Sequence, residues 1–77
     1  MSEPTELILP LKGEYITLAQ AVKVVGLASS GGQAKHLVRD GTFRVNGVVE
    51  TQPGRKLRLG DRFGSLKGPE WLVTEAR

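Results

Sequence analysis

Residues 16–47 read ITLAQAVKVVGLASSGGQAKHLVRDGTFRVNG, and this stretch sets the predicted order of secondary structure. Thr17 and Gln20 have the spacing of a capping box, in which two side chains satisfy free backbone N–H groups at a helix start. Apolar residues then recur at the spacing of one helical face: Leu18, Ala21, Val22 and Val25. Gly26 suits a left-handed helix end. The pattern predicts a first helix that ends before Gly26.

A second helix is predicted from Ser30 to Asp40, with a stop at Gly41. Ser30 and Gln33 have the spacing of a second capping box. The apolar side of this helix is formed by Ala34, Leu37 and Val38, and the opposite side by Gly32, Lys35, His36 and Arg39. The second helix is therefore predicted to show a basic face to solvent.

Strands are predicted on both sides of the helices. A strand over residues 5–11 precedes them, with Pro10 indicating a sheet edge. After them, Asn46-Gly47 predicts a type I′ hairpin turn and Pro53-Gly54 a type II turn. Residues 56–59 alternate, which predicts both leucines inward and both cations outward. Further strands follow at residues 62–66 and 71–74.

We expect a single α+β domain over residues 1–77, with two helices packed on a small twisted antiparallel sheet. No apolar run approaches the ~18 residues of a membrane span, and the N-terminus lacks the features of a signal peptide. These features favour a cytoplasmic protein. Cysteine is absent and His36 is the only histidine, so we expect no metal site, no cofactor and no catalytic triad.

Charge is distributed unevenly along the chain. Residues 1–22 carry one cation against three acids, whereas residues 33–62 carry seven cations against three acids. This asymmetry favours a polyanionic partner, although ordinary solvated side chains are the alternative. Of the aromatic residues, Phe43, Phe63 and Trp71 are expected in the core. Recognition of folded RNA by shape and phosphate is therefore favoured over base stacking.

Two clusters are the candidate binding site. Gly31-Gly32 leaves the first turn of the second helix without side chains, so that a phosphate could approach its N–H groups. The alternative is that these glycines allow close packing against the first helix. Lys35 and Arg39 extend the same face, and Lys23 could flank it. Three more cations, Arg55, Lys56 and Arg58, could form a phosphate-binding strip or simply an edge that resists aggregation.

The chain also resembles a known family. The similarity rests on residues spread over 16–62: Ile16-Thr17-Leu18, Leu27, Ser30-Gly31-Gly32-Gln33-Ala34-Lys35, Gly41-Thr42-Phe43-Arg44-Val45-Asn46-Gly47, Glu50, Arg55-Lys56-Leu57 and Gly60-Asp61. These positions resemble the alpha-L RNA-binding domain of small-subunit ribosomal protein S-four, and above all its stand-alone, YbcJ-like bacterial members. The resemblance implies two helices on a small sheet, with a basic surface that binds structured RNA.

Carried onto this chain, the family's RNA-contacting positions are Lys23, Ser30, Gly31, Gly32, Gln33, Lys35, Arg55 and Lys56. Many members have arginine after the motif serine, where this chain has Gly31, so arginine contacts at that point are not implied. The expected function is non-catalytic binding of structured RNA, ribosomal RNA above all, by a monomer without a small-molecule substrate. Two alternatives remain open: a helix-turn-helix DNA-binding protein, with Gln33 as its base reader, and a protein-interaction adaptor.

Overall fold

The computed structural model describes residues 7–76. Two helices lie between short strands along the chain. In chain order the elements are β1 (Leu7–Leu11), β2 (Ile16–Thr17), α1 (Leu18–Val24), α2 (Gly31–Arg39), β3 (Phe43–Val45), β4 (Val48–Glu50), β5 (Lys56–Leu57), β6 (Arg62–Ser65) and β7 (Glu70–Glu75). The α+β class is confirmed. Residues 5 and 6 of the predicted first strand lie outside the described part of the chain.

The main sheet is mixed, which differs from the antiparallel sheet that was predicted. Its order is β1-β7-β6-β3-β4, and β2 pairs separately with β5. The β1–β7 pair is parallel, with Leu9 opposite Val73, while the other pairs are antiparallel. Parallel neighbours need a long crossover, and here both helices and the intervening strands supply it. Pro10 lies on an edge strand, as predicted.

The core lies between the helices and the main sheet. Both helices contribute the apolar faces predicted for them, and the sheet contributes alternate side chains. The largest fully buried side chains are Phe43, Phe63, Leu18, Leu57, Val22, Val38 and Val73. Trp71 packs on Phe63 with ring centroids 5.9 Å apart. Core packing of these aromatic rings is therefore confirmed, and Tyr15 remains exposed.

Both ends of α1 match the sequence pattern. Thr17 accepts from the backbone N–H of Gln20, and the Gln20 side chain accepts from the Thr17 N–H, so the capping box is complete. Gly26 has φ +84. The Asn46-Gly47 turn also has positive φ at both residues (51 and 84), as a type I′ turn requires.

Two predictions about the β5 region are wrong. Gly54 is not among the glycines with positive φ, so the turn at Pro53 is not type II; the Arg55 N–H still closes it on the Gln52 carbonyl at 3.0 Å. Strand β5 ends at Leu57, and Leu59 is 55% exposed instead of inward. The reason is a turn in which the Asp61 N–H donates to the Arg58 carbonyl, which projects Leu59 outward.

Candidate nucleic-acid interface

The loop before α2 is fixed by two side chains. Ser30 caps the helix by accepting from the Gln33 N–H at 3.1 Å. The predicted second capping box is only half formed, because Gln33 Oε1 accepts from the Ser29 N–H at 2.6 Å and from the Ser29 hydroxyl at 2.8 Å. Gln33 thus holds the residue before the cap, which orients the first turn of α2 rather than closing the box.

The first turn of α2 is open to solvent on its glycine side. A Cβ atom built on Gly31 or on Gly32 would meet no heavy atom within 4 Å, and neither residue has positive φ. Close packing against α1 therefore does not require these glycines. The backbone conformation at these two positions does not require glycine either. Within residues 7–76, nothing in the domain explains two helix-weakening residues at this point.

The exposed face of α2 carries the predicted cations. Lys35 and Arg39 are both exposed, and neither lies within ion-pair distance of a carboxylate of residues 7–76. His36 approaches Asp40 at 3.7 Å on the same helix. Arg39 lies in the last turn, where the helix dipole favours positive charge. We call Ser30, Gly31, Gly32, Gln33, Lys35 and Arg39 the α2 group.

The turn before β5 is attached to the beginning of α1. The Leu18 N–H donates to the Arg55 carbonyl at 2.8 Å, and the Ala19 N–H donates to the Pro53 carbonyl at 3.1 Å. Free N–H groups at the helix start are thereby satisfied by the turn itself. The same two bonds hold the chain before Lys56 at a fixed place beside α1.

Arg55 does not present a free charge. Its Nη1 lies 2.8 Å from Glu50 Oε1, in an ion pair that the sequence did not predict. Glu50 Oε2 also accepts from the N–H groups of Thr51 and Gln52. Burial raises the pKa of Glu50, but these hydrogen bonds and the Arg55 charge outweigh it, so the pKa lies below its ordinary value. Arg55 thus stabilises the segment between β4 and β5.

Lys56 and Arg58 meet at an aromatic ring. Lys56 Nζ lies 4.8 Å from the centroid of Tyr15, and Arg58 Cζ lies 5.8 Å from it. Strand alternation does not place Arg58, because β5 ends at Leu57, but the contact with Tyr15 keeps the two cations close together. Lys23 and Tyr15 both line a groove beside β1 and α1. We call Lys23, Lys56, Arg58 and Tyr15 the Tyr15 group.

Sequence reasoning missed Tyr15, because it treated the few aromatic residues as core or as too sparse to matter. The signal that could have found it is the position of Tyr15 directly before Ile16. The pairing of Ile16 with Leu57 continues toward Arg58 and brings the Tyr15 ring to Lys56 and Arg58. The predicted site residues thus form two groups, and Arg55 belongs to neither because it is paired with Glu50. A single surface made of both groups stays a prediction.

Arg44 was counted among the basic residues of the central segment, but it has a structural role. Its guanidinium donates to Glu70 Oε2 at 2.9 Å and to the carbonyls of Leu66 and Gly68. It therefore ties β3 to the β6–β7 connection.

Two other kinds of site were searched for within residues 7–76. No group of three or more histidine, aspartate or glutamate side chains there could hold a metal ion. None of the helices in that range has the length and apolar character needed to cross a bilayer.

Comparison with known proteins shows what the chain is similar to. It is 42% identical over 55 residues to the small ribosomal subunit protein uS4 of Rhodopirellula baltica, which covers 71% of this chain and 27% of that protein. It is 37% identical over 59 residues to the probable ribosome maturation protein RlbA of Bacillus subtilis, covering 70% of this chain and 83% of RlbA. It is also 40% identical over 65 residues to a tyrosine–tRNA ligase of Gluconobacter oxydans, covering 80% of this chain and 16% of the ligase.

The extent of these similarities differs. The chain spans about a quarter of uS4 and less than a fifth of the ligase, but most of RlbA. Residues 9–68 match the family model described as the S4 domain, which includes both helices and strands β2 to β6. The resemblance stated from residues 16–62 is thereby confirmed, and the chain belongs to the S4 domain family.

Proposed function

We propose that this chain binds structured RNA of the ribosome or of a ribosomal precursor, without catalysing a reaction. The α2 group and the Tyr15 group form the binding surface. Arg55 contributes at its margin, where Glu50 neutralises part of its charge. The uS4 and RlbA relatives support a ribosomal role by their names, and on the same ground we propose the cytoplasm as the place where the protein acts.

The open first turn of α2 carries the proposal. Ser30 caps the Gln33 N–H, so the N–H groups that remain for a phosphate are those of Gly31 and Gly32. No side chain covers these two residues, and neither glycine is required by packing or by φ. A phosphate at this place would meet the positive end of the helix dipole, and Lys35 lies one turn further along the same helix. Glycine at both positions is thus explained by a ligand that approaches the backbone.

The electrostatic part is measured by salt dependence. Lys23, Lys35, Arg39, Lys56 and Arg58 lack an ion-pair partner within residues 7–76. If four to six cations neutralise phosphates, the logarithm of the association constant should fall with the logarithm of salt concentration at a slope of roughly −3 to −5. Fluorescence anisotropy with a labelled ribosomal RNA fragment measures this slope, and a slope near zero contradicts the proposal.

The helix pair also fits a helix-turn-helix DNA-binding protein in outline, because α1 and α2 follow each other along the chain and pack against each other. The start of α2 offers only Gln33 to read bases, however, and the Gln33 oxygen is held by Ser29. An RNA duplex and a DNA duplex of equal length distinguish the two functions, and tighter binding of DNA overturns ours. A protein adaptor would instead keep its partner in a pulldown after nuclease treatment.

The identity of the RNA is tested in cells. Crosslinking followed by sequencing of the bound RNA should return ribosomal RNA. Recovery of transfer RNA instead would favour a role like that named for the tyrosine–tRNA ligase relative.

A further inference from the structure

A groove of about 660 Å³ lies between β1, the chain at Tyr15 and one side of α1. Its floor includes the buried side chains of Leu9 and Leu11. Lys12 and Lys23 line its sides, and none of its lining residues within 7–76 is acidic. Sites for small organic groups have volumes of about 300–1,000 Å³ and combine apolar walls with a few polar groups. The groove has this size and this composition.

Tyr15 supplies an aromatic wall with positive charge beside it. Tyr15 is 43% exposed, and its ring is contacted by Lys56 and Arg58 at the distances given above. Neither cation lies within ion-pair distance of a carboxylate of residues 7–76. The charge next to the aromatic wall is therefore available to an anion.

Gln20 adds a polar group in a fixed orientation. Its amide oxygen accepts from the Thr17 N–H at 3.0 Å as part of the α1 capping box, and the same side chain lines the groove. With the oxygen held in this way, the amide NH₂ is left to donate to a ligand. No described residue accepts from it. A planar group with hydrogen-bond acceptors on its edge would satisfy this donor.

We propose that this groove binds one unpaired nucleotide of the RNA, its base against the apolar floor and Tyr15, its phosphates toward Lys12, Lys23, Lys56 and Arg58. This inference rests on the proposed function and names the RNA feature that the protein recognises. Unpaired bases are recognised in other proteins by aromatic stacking next to cationic side chains. The groove offers both, together with the Gln20 donor.

A peptide fits the groove less well. A peptide strand added to the edge of a sheet gains affinity from backbone hydrogen bonds. Here the neighbouring edge strand contains Pro10, which has no N–H to donate. The excess of cations around the groove also calls for a polyanion, and RNA carries one charge at every phosphate.

The test compares two RNA hairpins of equal length and charge. One contains 2-aminopurine as a single bulged nucleotide, and the other contains it in a base pair. The full chain should bind the bulged hairpin at least about fivefold more tightly, the lower end of the range for base–aromatic stacking. Binding should also quench the fluorescence of the bulged 2-aminopurine. Tyr15→Leu should remove the preference and the quenching, whereas Tyr15→Phe should keep both.

Val48→Ala is the matched control, since Val48 is an exposed apolar residue on β4, at the other edge of the main sheet from β1. It should leave both affinities unchanged. Folding of each variant is verified by the fluorescence of Trp71, the only tryptophan.

Other results would overturn the groove proposal, and one of them would overturn the proposed RNA function as well. Equal, salt-dependent affinity for both hairpins overturns the nucleotide groove and leaves the proposed RNA function standing. Absence of salt-dependent binding to either hairpin overturns both. If Tyr15→Leu weakens both hairpins equally and leaves the quenching intact, Tyr15 acts only by placing its two cations, and the groove proposal fails. It fails as well if an acidic peptide shifts the NMR signals of Tyr15, the only tyrosine, and the bulged hairpin does not.

Discussion

Arg55 and Glu50 form an ion pair, with 2.8 Å between Nη1 and Oε1, that joins the end of β4 to the residue before β5. The carboxylate side chain is 17% exposed and the guanidinium side chain 42%. Glu50 accepts from two backbone N–H groups in addition, so it is the centre of this connection. A cation that the sequence suggests for phosphate binding is thus partly used to position the turn that leads to Lys56.

Glu50→Gln should lower the free energy of unfolding by about 1 kcal/mol. The variant keeps the shape of the side chain but removes the charge from an ion pair that is largely exposed on the arginine side. Urea denaturation followed by Trp71 fluorescence measures this change. The RNA salt slope should become steeper, because Arg55 is released toward phosphate. A slope that stays the same would show that Arg55 lies outside the RNA contact.

The same carboxylate makes stability depend on pH in the acid range. The pKa of Glu50 is lower in the folded state than its ordinary value, so its contribution is complete above about pH 4.3, the pKa of an unperturbed glutamate. That contribution is lost as the pH falls through the lower, folded-state pKa. In Glu50→Gln, this part of the loss of stability at acid pH should be absent. Urea midpoints of both proteins between neutral and acid pH test the difference.

Gly31→Ala and Gly32→Ala should separate stability from binding. Each should raise the free energy of unfolding by about 0.5–1 kcal/mol, because alanine favours a helix and its Cβ meets open space. Each should also weaken RNA binding, since the added methyl group keeps phosphate from the helix start. Gly26→Ala is the contrast, as φ +84 makes alanine destabilising there. Unchanged RNA affinity in both α2 variants would remove the backbone contact from the proposed function.

Arg44→Met should be destabilising by about 2 kcal/mol, since it leaves Glu70 and two carbonyl groups without their charged donor. Its RNA salt slope should match that of the parent protein.

Lys35→Gln should behave in the opposite way, with unchanged stability and a slope smaller in magnitude by about 0.9. Thermal unfolding and salt titration of both variants test whether structural and binding cations are correctly divided. Lost stability in Lys35→Gln together with a smaller salt slope in Arg44→Met would show that Lys35 is the structural cation and Arg44 the binding one.

Local interactions made the helices predictable. A capping residue and its partner lie three positions apart, so the Thr17–Gln20 capping box is fully visible in the sequence. The left-handed residues at Gly26 and Asn46-Gly47 likewise depend on the conformation of one or two residues. The proposed binding residues of the α2 group could be named for the same reason, because one helix and its N-cap carry them all.

Tertiary structure decided the pairing of the strands and the surroundings of the side chains near β5. The parallel pairing of Leu7–Leu11 with β7 joins the two ends of the described chain, and no local pattern encodes such a pairing. The ring of Tyr15 meets Lys56 and Arg58 only because β2 pairs with β5, about forty residues later. Leu59 turned outward because Asp61 closes a turn on Arg58. Sequence alone determined the helices, the hairpin turn and the charge of this protein, while contacts between distant residues decided which cations pair with a carboxylate and which contact the Tyr15 ring instead.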